Sequence, residues 1–118
     1  MKYNRLQTGF GGGGRELLTQ TDKVRFIADH YGISSQLAQS REECAELIVA
    51  TSKYDRAKTE KARVSAEESL AEEMADVTIM LAQLEYLLGN HTEVGYHIQR
   101  KLNRQIQRIQ EEANDPAE

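Results

Sequence analysis

The chain has no tryptophan, one proline and one cysteine in 118 residues, and each scarcity excludes something. The lone cysteine, Cys44, rules out an internal disulfide and a cysteine-rich zinc site, and suits a reducing compartment. The lone proline leaves long helices uninterrupted and argues against a sheet with many turns. Long apolar runs are missing too. The most apolar stretch, Met74 to Leu88, carries Asp76, Gln83 and Glu85 and cannot span a bilayer. Met1 to Thr8 is polar and lacks the apolar run of a signal peptide. Positive charge is outnumbered, 15 Lys and Arg against 19 Asp and Glu for a net −4, which argues against a nucleic-acid coat or a basic membrane binder. These absences predict a cytoplasmic protein with neither nucleic acid nor membrane as its partner.

The residues that are present fit one globular domain, with 39% apolar and 29% charged. Gly9-Phe10-Gly11-Gly12-Gly13-Gly14 satisfies the GxGxxG pattern, as any glycine run does. A dinucleotide fingerprint needs a strand before it, and a P-loop needs Lys then Ser or Thr where this chain has Arg15-Glu16. The expected organisation is a glycine-rich lead-in over 1–20, a helical domain over 21–110 and an acidic tail over 111–118.

Hydrophobic spacing predicts an all-α bundle of about four helices. Thr21 or Asp22 caps a short helix through about His30, ended by Gly32. A longer helix follows from about Ser35 to Tyr54, with Leu37, Cys44, Ala45 and Ile48 as its expected apolar stripe. After a polar connector from Asp55 to Val64, Ser65 and Glu68 make a capping-box signature. The next helix has the clearest periodicity, Leu70, Met74, Val77, Leu81, Leu84 and Leu88 at alternating spacings of four and three. Further apolar residues on its other faces predict a helix that is central, or shared with a second subunit. Gly89 ends it. Asn90 and Glu93 then cap a last helix with the stripe Val94, Ile98, Leu102, Ile106 and Ile109.

An internal echo carries the chemistry. Glu42-Glu43-Cys44-Ala45-Glu46-Leu47 is matched by Glu72-Glu73-Met74-Ala75-Asp76-Val77. Each segment sets acids at i and i+3, on one helix face. In an antiparallel hairpin turning between Tyr54 and Ser65, Glu46 pairs with Glu73 and Glu43 with Asp76 about the same midpoint. Glu42 and Glu72 fail that register and lie roughly 100° round their helices. Four carboxylates at one level repel: at about 5 Å and an effective dielectric near 20, each close pair costs roughly 3 kcal/mol. Either their pKa values rise or a cation neutralises them. An all-oxygen donor set favours Mg²⁺ or Mn²⁺, with waters and substrate phosphate oxygens completing the shell.

The plainer alternative is a set of solvated surface acids. A di-iron bundle is disfavoured, because that design needs Glu-x-x-His and none of His30, His91 and His97 has Glu three residues before it. On the last helix, His97, Lys101, Arg104 and Arg108 form a cationic face suited to phosphate, or to ordinary charge pairing.

Glu43-x-x-Glu46 followed by Glu73-x-x-Asp76, the words around them from Gln36-Leu37 to Leu81, and Lys101-Leu102-Asn103-Arg104 together resemble the MazG-like nucleoside triphosphate pyrophosphohydrolases. The resemblance covers about Thr21 to Ile109. It implies a four-to-five-helix bundle of the all-alpha NTP pyrophosphatase type, working as a homodimer or tetramer with the central helix in the subunit interface. It implies cleavage of a nucleoside triphosphate to monophosphate and pyrophosphate, with Glu43, Glu46, Glu73 and Asp76 holding Mg²⁺. Lys101 and Arg104, with Lys53 as a third residue, would contact phosphates. Base preference stays open, with Gln36 and Tyr86 as candidate contacts. The competing class is a non-catalytic helical dimerisation or adaptor module, to which the Leu70–Leu88 seam also points.

Overall fold

A computed structural model describes residues 18–115, which form three helices and no strand. They are α1 (Gln20–Arg56), α2 (Glu60–Leu88) and α3 (His91–Asn114). The glycine cluster and the end of the acidic tail lie outside the described residues. Three helices stand where four to five were expected, because the two segments predicted on either side of Gly32 continue into one another as α1. Gly32 remains the break between them: its backbone is non-helical at φ 83°, ψ 169°, a conformation open to glycine alone.

The cap of α1 is Thr19, not Thr21 or Asp22. The Asp22 amide donates to Thr19 Oγ1 at 3.0 Å, and the Thr19 amide donates back to Asp22 Oδ2 at 3.2 Å, a reciprocal capping box. Asp22 thus serves the cap from its third position. The connector is also much shorter than Asp55–Val64, reduced to residues 57–59. Thr59 starts α2, its hydroxyl oxygen accepting from the Ala62 amide at 3.1 Å. With that cap in place, Glu60-Lys61-Ala62-Arg63 are good helix formers and extend the helix backwards, leaving Ser65 in its interior.

The chain divides into two compact units, one ending at Leu88 and the other starting at Gly89. In the first, α1 and α2 pack as an antiparallel hairpin. Its seam runs through Gln36, Ser40, Glu43, Leu47 and Ala50 on α1, and through Leu70, Glu73, Val77, Met80, Leu84 and Leu87 on α2, all buried or half-buried. The spacing is the four-three alternation of a coiled coil, yet two seam positions are glutamates. The expected stripe of Leu37, Cys44, Ala45 and Ile48 is exposed instead. Cys44 follows Glu43 directly, so turning Glu43 inward rotates Cys44 about 100° outward. Of the α2 repeat, Leu70, Val77 and Leu84 face the hairpin, while Met74, Leu81 and Leu88 are more than half exposed. Near the start of α1, Tyr86 donates its hydroxyl to Asp29 Oδ2 at 2.8 Å, and the Arg25 guanidinium lies 5.4 Å from the Tyr86 ring centre.

In the second unit, Gly89 adopts the left-handed conformation, φ 64°, that ends α2. Asn90 is the first-turn cap residue of α3, but its side chain makes no capping hydrogen bond, so the Asn90–Glu93 box does not form. The helix reaches Asn114, so the first residues of the expected tail are helical. Its stripe of Ile98, Leu102, Ile106 and Ile109 is exposed. No helix among the described residues is long and apolar enough to cross a membrane.

Candidate metal centre

Glu43 and Glu46 are one turn apart on α1, and Glu73 and Asp76 one turn apart on α2, because both pairs are spaced i, i+3. The antiparallel hairpin brings the pairs level. One carboxylate oxygen from each of the four residues lies within 4.8 Å of every other. Glu43 and Glu73 occupy the seam and are half-buried; Glu46 and Asp76 flank it and are exposed. The cross-helix register expected from the sequence is therefore met by all four acids.

Hydrogen bonding leaves the centre short of positive charge. Gln39 Nε2 donates to Glu43 Oε1 at 2.7 Å. The other Glu43 oxygen, Oε2, is sealed from water without a partner, and so is Glu73 Oε2. An orphaned buried carboxylate oxygen is costly unless a proton or a cation meets it. Loss of water pushes the Glu73 carboxyl above its ordinary value. The charge of Glu46 and a side-chain hydrogen bond with it add to the shift, followed by the charges of Asp76 and Glu43.

The residues fit a hard divalent cation. All donors are carboxylate oxygens, and two of the four residues carry a sealed, unpaired oxygen. In an octahedron with metal–oxygen distances near 2.1 Å, adjacent ligands are about 3.0 Å and opposite ligands about 4.2 Å apart, so the four oxygens, within 4.8 Å of one another, draw together by side-chain rotation to close around Mg²⁺. Calcium, at about 2.3–2.6 Å, needs less movement still.

Two grooves open beside the acids. One, of about 340 Å³, is lined by Glu43 and Asp76 together with Tyr31, Gln36, Ile79 and Gln83. The other, of about 360 Å³, is lined by Glu46, Glu73, Lys53, Ser69 and Val49 among others. No family model, curated protein or solved structure matches the chain.

Of the cationic residues singled out in the sequence, Lys53 shares a groove with Glu46 and Glu73. Lys101 and Arg104 are exposed on α3, within the second unit. There Arg104 lines a hollow with Arg100 and Arg108, and an Arg100 guanidinium nitrogen lies 3.5 Å from His97 Nδ1. Gln36 lines the groove that holds Glu43 and Asp76, whereas Tyr86 is tied to Asp29. Sequence reading passed over Gln39 and Gln83. Gln39 was detectable from its i, i+4 spacing to Glu43. Gln83 carried a weaker signal, a polar residue seven positions after Asp76 inside an apolar run.

Proposed function

We propose that the chain is a divalent-cation-dependent nucleotide pyrophosphohydrolase of the MazG-like kind, a four-to-five-helix all-α enzyme acting in the cytoplasm. It cleaves a nucleoside triphosphate to the monophosphate and pyrophosphate. The observation that carries this reading is the meeting of four carboxylates from two helices, two of them with sealed, unpaired oxygens. Glu43, Glu46, Glu73 and Asp76 are the metal ligands, with Mg²⁺ the resident ion and Mn²⁺ an alternative. A hard divalent cation there supplies charge against the phosphate oxygens and activates water. Glu43 is held by Gln39, so Glu46, the exposed carboxylate of the pair, takes the proton of the attacking water. Lys53, beside Glu46 and Glu73, offsets charge on the phosphates. Lys101 and Arg104 take the same role on the strength of the sequence resemblance. Among the described residues, Ser69 and Lys53 line the groove with Glu46 and Glu73 but no hydrogen bond pairs either of them, or Cys44, with a base, which favours direct attack by water.

The working form in this reading is a homodimer or tetramer, supported by the exposed row of Met74, Leu81 and Leu88 on α2. The same row favours a second reading, a non-catalytic helical adaptor.

Purified protein with Mg²⁺ and a panel of nucleoside triphosphates separates the two. The enzyme releases pyrophosphate, not orthophosphate, from at least one nucleotide. Glu73→Ala lowers that rate by roughly 10²-fold or more, with far-ultraviolet circular dichroism unchanged. Silence across the whole panel leaves the adaptor reading standing.

A further inference from the structure

Two glutamines occupy the interior of the hairpin where apolar residues are the rule. Gln36 on α1 is 4% exposed and Gln83 on α2 is 2% exposed. Gln36 Nε2 donates to Gln83 Oε1 across the seam. That bond uses one half of each amide. Among the described residues, the Gln36 carbonyl oxygen and the Gln83 amide nitrogen have no further partner, and both side chains line the groove that also holds Glu43 and Asp76. Unlike Glu43 Oε2 and Glu73 Oε2, neither of these two atoms is sealed from water, so each can exchange water for a group of a ligand.

The position along the groove gives the pair a use. Gln36 lies seven residues before Glu43, and Gln83 seven residues after Asp76. At 1.5 Å per residue the pair sits about 10 Å along the hairpin from the acids. A nucleoside spans that separation; a bare pyrophosphate does not. Between the two ends the groove offers Ile79 and Met80, apolar surfaces suited to the face of a flat ring, and Tyr31 lines it beyond Gln36.

We propose that Gln36 and Gln83 read the edge of the nucleobase as a single reversible unit. This rests on the nucleotide reading of the acid centre. In the arrangement described, the pair turns an acceptor on Gln36 and a donor on Gln83 toward the groove. Turning both amides over reverses the internal bond, so that Gln83 donates to Gln36, and exchanges the two outward groups. One arrangement complements an amino base, whose edge presents a donor beside a ring-nitrogen acceptor. The other complements an oxo base, whose edge presents an acceptor beside a ring N–H. Cytosine and uracil differ in just this way. The pair therefore demands a base edge with a donor and an acceptor side by side, and accepts either order.

The test compares kcat/KM, by pyrophosphate release with Mg²⁺, for the cytosine and uracil nucleoside triphosphates and for ribose 5-triphosphate, which has no base. Wild-type protein uses the two nucleotides within about tenfold of each other. Gln36→Met with Gln83→Met replaces both partners by side chains of similar shape, so the fold tolerates the change. It lowers kcat/KM for both nucleotides roughly ten- to hundredfold and leaves ribose 5-triphosphate unaffected. Gln83→Met alone gives the same base-dependent loss. Circular dichroism verifies that each variant is folded. A loss equal on all three substrates, or no loss, overturns base reading while the hydrolase reading stands; a wild-type gap beyond tenfold overturns the reversal of the pair. Absence of pyrophosphate from every substrate with wild-type protein removes the hydrolase reading and this one with it.

Discussion

Glu73 sits at a seam position where a coiled coil puts leucine or isoleucine, and its chemistry follows from that place. Its carboxyl is held above the usual 4.5 by lost water first, then by Glu46, Asp76 and Glu43. In the metal-free protein the folded chain therefore binds more protons than the unfolded chain in the interval from 4.5 up to the raised value. Folding stability falls as pH climbs through that interval, and below it the penalty vanishes because both states are protonated. A series of thermal melts in chelator, from pH 4.5 upward, shows the decline for wild type and a flatter profile for Glu73→Gln. Mg²⁺ reverses the decline, adding about 2.7 kcal/mol when present at 100 times its Kd, and its affinity weakens as pH drops because protons compete for the same oxygens. A wild-type profile that Mg²⁺ leaves unmoved counts against a cation among these acids. The four acids were legible before the fold because i, i+3 spacing and one hairpin register suffice to bring them together. Gln36 was legible as a candidate base contact, but its partner Gln83 was not, since a lone polar residue in an apolar run reads equally as a tolerated surface position.

At the scale of the helix, the break in α1 is set by one residue. Gly32 has φ +83°, and a Cβ there would meet nothing within 4 Å, so the demand is on the backbone and not on space. Gly32→Ala costs about 1–3 kcal/mol from strain alone. Urea unfolding followed at 222 nm registers it as a lower midpoint with an unchanged slope. An effect near zero means the bend is relieved elsewhere. Helix existence and the Gly32 and Gly89 breaks were readable from glycine placement and periodicity. Boundaries were less so: Ser65–Glu68 matched a capping box as well as Thr59 does, and the choice fell to the residue that lies where the chain turns. The facing of α1 was misread for a related reason. The stripe of Leu37, Cys44 and Ile48 and the pair Glu43–Glu46 cannot all face α2, because Cys44 is about 100° from Glu43. Hydrophobicity favoured the former; the hairpin buries the side of Glu43.

For the whole chain, the accounting of apolar surface points outward. Among the described residues the buried apolar side chains are Ala28, Ala50 and Met80, two of them too small to contribute much. Gln36 and Gln83 fill the space between, and the acids interrupt the seam. Meanwhile Met74, Leu81 and Leu88 form an exposed row on α2, and Ile98, Leu102, Ile106 and Ile109 another on α3. Burying a Leu, Ile or Met side chain contributes roughly 1.5–3 kcal/mol, so covering these two half-exposed rows adds substantially to what the half-buried Leu47, Leu70, Val77, Leu84 and Leu87 of the seam supply. The sevenfold spacing of the α2 row, and the three-to-four spacing of the α3 row, are those by which one helix packs on another. A second copy of the chain supplies such a helix with the same spacing, and the proposed homodimer or tetramer covers the α2 row by that means. Light scattering at micromolar concentration then gives a mass of two or four chains. Met74→Glu with Leu81→Glu sets like charges against each other across the interface and shifts the mass toward one chain. The helical signal falls with it, because the hairpin loses its cover. The substituted residues face away from the acids, so Mg²⁺ still raises the melting midpoint of whatever folded fraction remains. A wild-type mass of one chain with cooperative unfolding removes self-association as the cover for α2.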